Sequence, residues 1–286
     1  MAKLIQMHGR KTKLFGNGNG RENNVPPFGR IMPSCQRRRV RTRTARFHGV
    51  RAVAMENEIP LEGGRVTKGV VRLGNTVRRP PTFNSPFVHQ LLHHLATSGF
   101  DAAPRSHGSD EFGRDVFSYI EGDVPQDLSW HSDDVLIDAA RLIRQYHDAT
   151  EGLLASPAAL GAGLEVVCHN DLSPCNFVFR SGRPAAIIDF DSASPGPRMH
   201  DVGYAAWMWL DLGDQDIEPD LQRRRLTMFC KAYDANMNLS CVVDSMMLRQ
   251  RILIAQGRRL GDVAMERWAA ECLEWTISNL RTNGRP

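Results

Sequence analysis

Between Arg65 and Arg79 polar and apolar positions alternate: Arg65-Val66-Thr67-Lys68-Gly69-Val70-Val71-Arg72-Leu73, then Gly74-Asn75, then Thr76-Val77-Arg78-Arg79. Period-two alternation about a Gly-Asn connection predicts an antiparallel hairpin. A helix is expected over 86–98, framed by Ser85 as N-cap, Pro86 at its first position and Gly99 past its end. Asp110-Glu111-Phe112-Gly113 predicts a second turn with Val116 to Ile120 as the returning strand, and at Glu121-Gly122 the composition becomes polar. From 132 to 149 the apolar residues Val135, Ala139, Leu142, Ile143 and Tyr146 recur at a helical period. Further helices are expected over 201–212, 219–235, 241–258 and 262–280, with Trp207, Trp209, Trp268 and Trp275 as core or pocket walls.

The stretch from Val166 to Asp191, VVCHNDLSPCNFVFRSGRPAAIIDFD, breaks this series. An apolar run leads into His169-Asn170-Asp171-Leu172, a loop passes Pro174 to Asn176, and a strand-turn-strand with Ser181-Gly182 at its tip ends at Asp189. One hairpin thus delivers two carboxylates and an amide. Phosphoryl transfer requires such a set: a carboxylate that accepts the acceptor hydroxyl's proton, and oxygen ligands that hold magnesium against the phosphates.

Composition changes this picture mainly at the head. The 286 residues carry a net charge of +4, but 13 Lys/Arg and one acidic residue, Glu22, fall in 1–54, leaving 23 basic against 31 acidic residues afterwards. That head is rich in Gly, Asn, Pro and Arg, has no periodic apolar pattern, and is expected to be disordered. It reads either as a nucleic-acid-binding or organelle-targeting arm or as sequence upstream of a start at Met55, and the second reading is favoured. Nucleic acid is therefore not an expected partner. Six cysteines without a C-x-x-C pair fit reduced thiols and a cytoplasmic enzyme, and no apolar run is long enough for a bilayer.

The pattern H-x-D-x-x-x-x-N at His169, Asp171 and Asn176, followed thirteen residues later by Asp189, resembles the aminoglycoside phosphotransferase family, the small-molecule branch of the protein-kinase-like fold. The resemblance implies an α+β, bilobal fold: a small antiparallel sheet with one helix over 55–121, and a mainly helical lobe over 122–286. It implies ATP and Mg2+ as cofactors, Asp171 as catalytic base, Asn176 and Asp189 as metal ligands, and His169 and Asp201 as supports of the loop, Asp201 doubling as a helix cap. Gly63, Gly64 and Gly69 suit a phosphate-covering loop, with Thr67 inside it as a nucleotide contact. Backbone groups at Ser118 and Ile120 are the expected adenine contacts, and Arg78 the expected phosphate cation, with Arg79 one register step away.

Two departures stand out. No acidic residue lies between Asn84 and Gly99 to pair with that cation from the helix, and His89, His93 and His94 there read as a polar helix surface. Asn170 and Ser173 replace the Arg and Lys of protein-kinase catalytic loops, and the segment from Asp191 to Asp201 is short, which favours a small hydroxyl-bearing acceptor. Acidic residues Asp211, Asp214, Asp216, Glu218, Asp220, Glu266, Glu271 and Glu274 give a slight preference for a cationic one. Asp191 reads as a loop carboxylate. The competing expectation is a nucleotide-binding pseudoenzyme of the same fold.

Overall fold

In the computed structural model, which describes residues 57–61, 69–154, 163–213 and 217–281, the alternating stretch folds as a hairpin of β2 (Val71–Leu73) and β3 (Thr76–Arg79). Val71 faces Arg78 and Leu73 faces Thr76 across it. The head over 1–54, together with Gly63, Gly64, Thr67, Asp214 and Asp216, lies outside the described residues. β1 (Ile59–Pro60), β4 (Ser106–Ser109) and β5 (Asp115–Ser118) complete a five-stranded antiparallel sheet in the order β1-β2-β3-β5-β4.

Helix α1 (Ser85–Thr97) covers this sheet by burying Val88, Leu91, Leu92 and Leu95, a stripe at helical spacing. Each such side chain contributes about 1.5–3 kcal/mol relative to exposure. Ser85 is not the cap expected from the sequence. The cap is Asn84, and Ser85 sits in the first turn, where its hydroxyl accepts from the Thr82 N–H and donates to Asp115.

The polar stretch after the sheet runs along β7 (Phe177–Arg180), pairing Asp123 with Phe179 in both directions. Gly122 permits the approach: its φ is +144°, and a Cβ there would strike the Phe179 carbonyl. Helix α2 (Asp133–Glu151) follows, buried at all five apolar positions expected from its period. Two small antiparallel sheets carry the loop stretch: β6 (Val166–Cys168) with β9 (Ser194–Gly196), and β7 with β8 (Arg183–Ile187).

Four helices form the rest: α3 (Arg198–Trp209), α4 (Pro219–Tyr233), α5 (Leu239–Leu260) and α6 (Val263–Asn279). α3 is buried from Asp201 to Trp209, so it runs through the centre of the helical lobe. Gly203 sets its crossing with α5, because a Cβ there would lie 2.7 Å from the Met246 nitrogen. Trp207 stacks on Trp268 of α6 with centroids 4.8 Å apart, Trp209 is also buried, and Trp275 is partly so. The architecture is the bilobal α+β one expected, with a small sheet lobe and a mainly helical lobe.

Candidate active site

β6 ends at Cys168, and the loop that follows is held from several sides. Asp201, fully buried in the first turn of α3, accepts the His169 N–H at 2.6 Å on one carboxylate oxygen and the Asn170 N–H at 2.8 Å on the other. It makes no helix-capping bond; the cap position is Pro197. The His169 ring lies between two loops: Nδ1 accepts the Asp171 N–H at 3.3 Å and Nε2 donates to the Ile188 carbonyl at 3.1 Å. These two bonds fix the orientation of the ring between the loops. Asn170 takes the left-handed region at φ 66°, which Asn tolerates, and its amide donates to the Ser192 carbonyl and the Ser194 hydroxyl.

Asp171 has one carboxylate oxygen accepting from the Tyr204 hydroxyl at 2.7 Å. Its carbonyl accepts from the Asn176 amide at 2.8 Å. The Asn176 backbone carbonyl in turn accepts the Ile188 N–H at 2.9 Å, which sets Asn176 beside the strand end that carries Asp189. Asp189 is also left-handed, with φ 69° and ψ 61°, and its carboxylate is 52% exposed. The hairpin thus brings Asp171, Asn176 and Asp189 together, as their spacing suggested.

The cation that reaches this group is Arg79. Its guanidinium is 3.9 Å from Asp189 and 3.7 Å from Asp115, and it pairs closely with Asp191. Arg78, one residue earlier, projects to the other face of the strand and pairs with Asp110 at 3.3 Å, beside Arg114. Arg79 shares a strand face with Val77, and their cross-strand partners are Asp115 and Phe117. That parity was available in the sequence, since whichever face Val77 takes, Arg79 takes too.

Asp115 fills the role left open by the helix without a carboxylate. It is 1% exposed and accepts from Ser85 Oγ at 2.5 Å and His89 Nε2 at 3.1 Å. His89 is therefore not a surface residue: it bridges Asp115 and the Ser106 hydroxyl and stacks on Phe117. His94 reaches the Ala149 carbonyl, leaving His93 as the exposed member of the three. Burial pushes the Asp191 carboxyl above the usual range, Arg79 pulls it down, and Asp189 and Asp115 add to the rise.

At the edge of the sheet lobe, the Ser118 N–H donates to the Arg105 carbonyl and its hydroxyl accepts the Arg105 N–H, while the Tyr119 N–H donates to the Asn75 carbonyl. Of this trio, Ile120 is the one whose N–H has no backbone partner among the described residues. Asn176 and Asp189 fit magnesium by chemistry. Asn176 uses its N–H on Asp171, so its carboxamide oxygen can coordinate, and magnesium takes one or two protein oxygens while phosphates and water fill its shell. Among the described residues no group of three or more His, Cys, Asp and Glu would enclose a metal. A surface hollow of about 440 Å³ between α2 and α4, lined by Arg141, Arg224 and Lys231, shares no residue with this site.

A sequence model of the phosphotransferase enzyme family matches residues 150–235. A trifolitoxin immunity protein from Rhizobium leguminosarum bv. trifolii is 35% identical over 185 residues, covering 61% of this chain and 70% of that protein. Among solved structures, the gentamicin complex of APH(2")-IIa superposes with a TM-score of 0.52 at 16% identity, over 78% of this chain and 92% of the other. The GDP complex of aminoglycoside 2'-phosphotransferase-IIIa gives 0.52 at 13% identity, over 80% and 94%. An ethanolamine kinase from Plasmodium vivax gives 0.52 at 12% identity, over 72% and 77%. At these identities the structural matches speak to the fold.

Proposed function

From the premise that this chain belongs to the phosphotransferase enzyme family, we propose that it transfers the terminal phosphoryl group of ATP to a hydroxyl of a small molecule. The observation that carries this reading is the meeting of Asp171, Asn176, Asp189 and Arg79, delivered from both lobes to one place. A binding module has no evident need for a positioned base beside a metal-ligand pair.

In this reading Asp171 accepts the acceptor's proton as its oxygen attacks phosphorus. Asn176 and Asp189 would hold magnesium, which when bound neutralises charge on the phosphates. Arg79 steadies the phosphates in place of Arg78, and Asp115 steadies Arg79. The Ile120 N–H offers the adenine contact, with the Ser118 carbonyl beside it, and Thr67 remains a proposed contact in the glycine-rich stretch. We take 55–121 as the nucleotide lobe, 122–286 as the catalytic lobe, and the cytoplasm as the location. Thiols at Cys168, Cys230 and Cys241 fit that location. No helix among the described residues is long and apolar enough to cross a membrane.

Arginines neutralise part of the acidic field: Asp220 pairs with Arg223, Glu266 with Arg258 and Glu271 with Arg267. The acceptor screen therefore includes neutral sugars as well as aminoglycosides, choline and macrolides. Magnesium-dependent ADP release with one of these is the expected result; none with any would remove the reading. The second reading, protection by binding rather than by chemistry, draws on the toxin-immunity name of the 35% identical relative. It predicts nucleotide binding without turnover.

A further inference from the structure

From α3 the Tyr204 hydroxyl donates to one oxygen of the Asp171 carboxylate at 2.7 Å, and the Tyr204 side chain is buried. Burial, and then the Asp171 charge, push its pKa well above the usual tyrosine range, so it remains a donor. A carboxylate has two oxygens that exchange places by rotation about its last bond, so tying one down decides where the other points.

A second buried residue backs this contact. The Arg249 guanidinium, from α5, lies 4.8 Å from the centre of the Tyr204 ring and donates to the Asn170 carbonyl at 2.7 Å. Its other arm is 2.7 Å from His200 Nε2, one helical turn before Tyr204. Burial and the Arg249 charge lower the pKa of His200, leaving it a neutral acceptor. The geometry depends on Gly203: with no Cβ there, α3 sits against the Met246 backbone, and Arg249, one turn further along α5, is carried over Tyr204. Arg249 therefore holds both the ring that grips the Asp171 head and the peptide that precedes it.

We propose that Tyr204 is a positioning residue for phosphotransfer, fixing one Asp171 oxygen so that the other faces the acceptor hydroxyl, and that Arg249 fixes Tyr204 and the Asn170 peptide in turn. This rests on the reading of the chain as a phosphotransferase. In the transfer step the acceptor O–H bond breaks, its proton passes to the outward oxygen of Asp171, and the acceptor oxygen bonds to phosphorus. The bond from phosphorus to the ADP oxygen breaks with its electron pair going to ADP. Tyr204 keeps its proton throughout.

The test uses the full chain with ATP, magnesium and the acceptor found by screening, and compares Tyr204→Phe, Arg249→Lys, Arg249→Ala and Tyr146→Phe. Tyr204→Phe deletes one charge-assisted hydrogen bond, so kcat should fall about 10- to 100-fold while nucleotide Kd and the KM for ATP stay within about twofold. Arg249→Ala should do the same, and Arg249→Lys should recover part of the loss. Tyr146→Phe removes another buried phenol hydroxyl, one that makes no hydrogen bond among the described residues, and should leave kcat within about twofold. Wild-type kcat in Tyr204→Phe, with the parent active, overturns this inference alone. So does an equal loss in Tyr146→Phe, or a matching loss of nucleotide affinity in Tyr204→Phe, since either marks a structural role. A parent chain inactive with every acceptor overturns the phosphotransferase reading and this inference with it.

Discussion

Arg79 and Asp115 face each other across adjacent antiparallel strands, guanidinium to carboxylate at 3.7 Å, both nearly excluded from water. The sheet itself supplies the carboxylate that α1 does not carry, and α1 contributes Ser85 and His89 as its donors instead. A cation that would otherwise be surrounded only by the acidic residues of the opposite loop is thereby attached to the sheet lobe.

Breaking this pair should be costly on two counts. Removing one partner of a buried ion pair costs about 3–5 kcal/mol, because the other charge is left uncompensated. Asp115→Ala should therefore lower the melting temperature strongly, and the milder Asp115→Asn, still folded, should weaken nucleotide binding about tenfold. Undiminished nucleotide affinity in a folded Asp115→Asn protein would show that Arg79 does not depend on it.

The two adjacent arginines should behave oppositely. Arg78 is partly exposed in its pair with Asp110, so Arg78→Ala should change stability by no more than about 1 kcal/mol and leave nucleotide affinity intact. Arg79→Lys keeps the charge but loses the planar fork that meets three carboxylates, and should reduce nucleotide affinity about tenfold. Nucleotide titration of both variants decides which arginine serves the phosphates.

Asp189 and Asp171 should separate binding from chemistry. Asp189→Ala should abolish turnover and weaken metal-dependent nucleotide binding. Asp171→Asn should cut kcat by about 10²- to 10⁴-fold at nearly unchanged nucleotide affinity. Equal loss of nucleotide binding in the two would assign Asp171 a structural part.

Asp201 should leave a signature in acid. Burial works against its charged form, but the hydrogen bond and charge of His147 and the His169 N–H outweigh it and hold its pKa below the usual range. A carboxylate depressed in the folded state contributes fully above its unfolded pKa, about 3.9, and loses that contribution as pH falls through the lower folded value. Urea unfolding between pH 5 and 3 should therefore show stability falling more steeply in the wild type than in Asp201→Asn. Parallel curves would mean that Asp201 titrates alike in both states.

Legibility followed sequence distance. Asp171, Asn176 and Asp189 lie within nineteen positions of one hairpin, so spacing and flanking apolar runs were enough to group them. The choice between Arg78 and Arg79 turned on strand parity, a one-residue matter that flips every side chain to the other face. Ser85 reads as a cap by type, yet its hydroxyl serves Thr82 and Asp115, a bond thirty residues away that no local rule encodes. Tyr204 and Arg249 sit in helices whose periodicity marks them as buried without saying what they touch, and it is the Gly203 crossing that brings them to the loop.

The Asn84 side chain ties the start of α1 to the opposite lobe through two bonds from one nitrogen, to the Asp191 carbonyl at 2.9 Å and the Ala193 carbonyl at 3.0 Å. It is one of several such ties: the Ile187 N–H reaches the Ala102 carbonyl at 2.8 Å, His94 the Ala149 carbonyl at 2.9 Å, and Asp123 pairs with Phe179. Spread along the seam like stitches, these bonds share any load that would part the sheet from the helices, so the place of Arg79 beside Asp189 and Asp191 does not hang on a single thread.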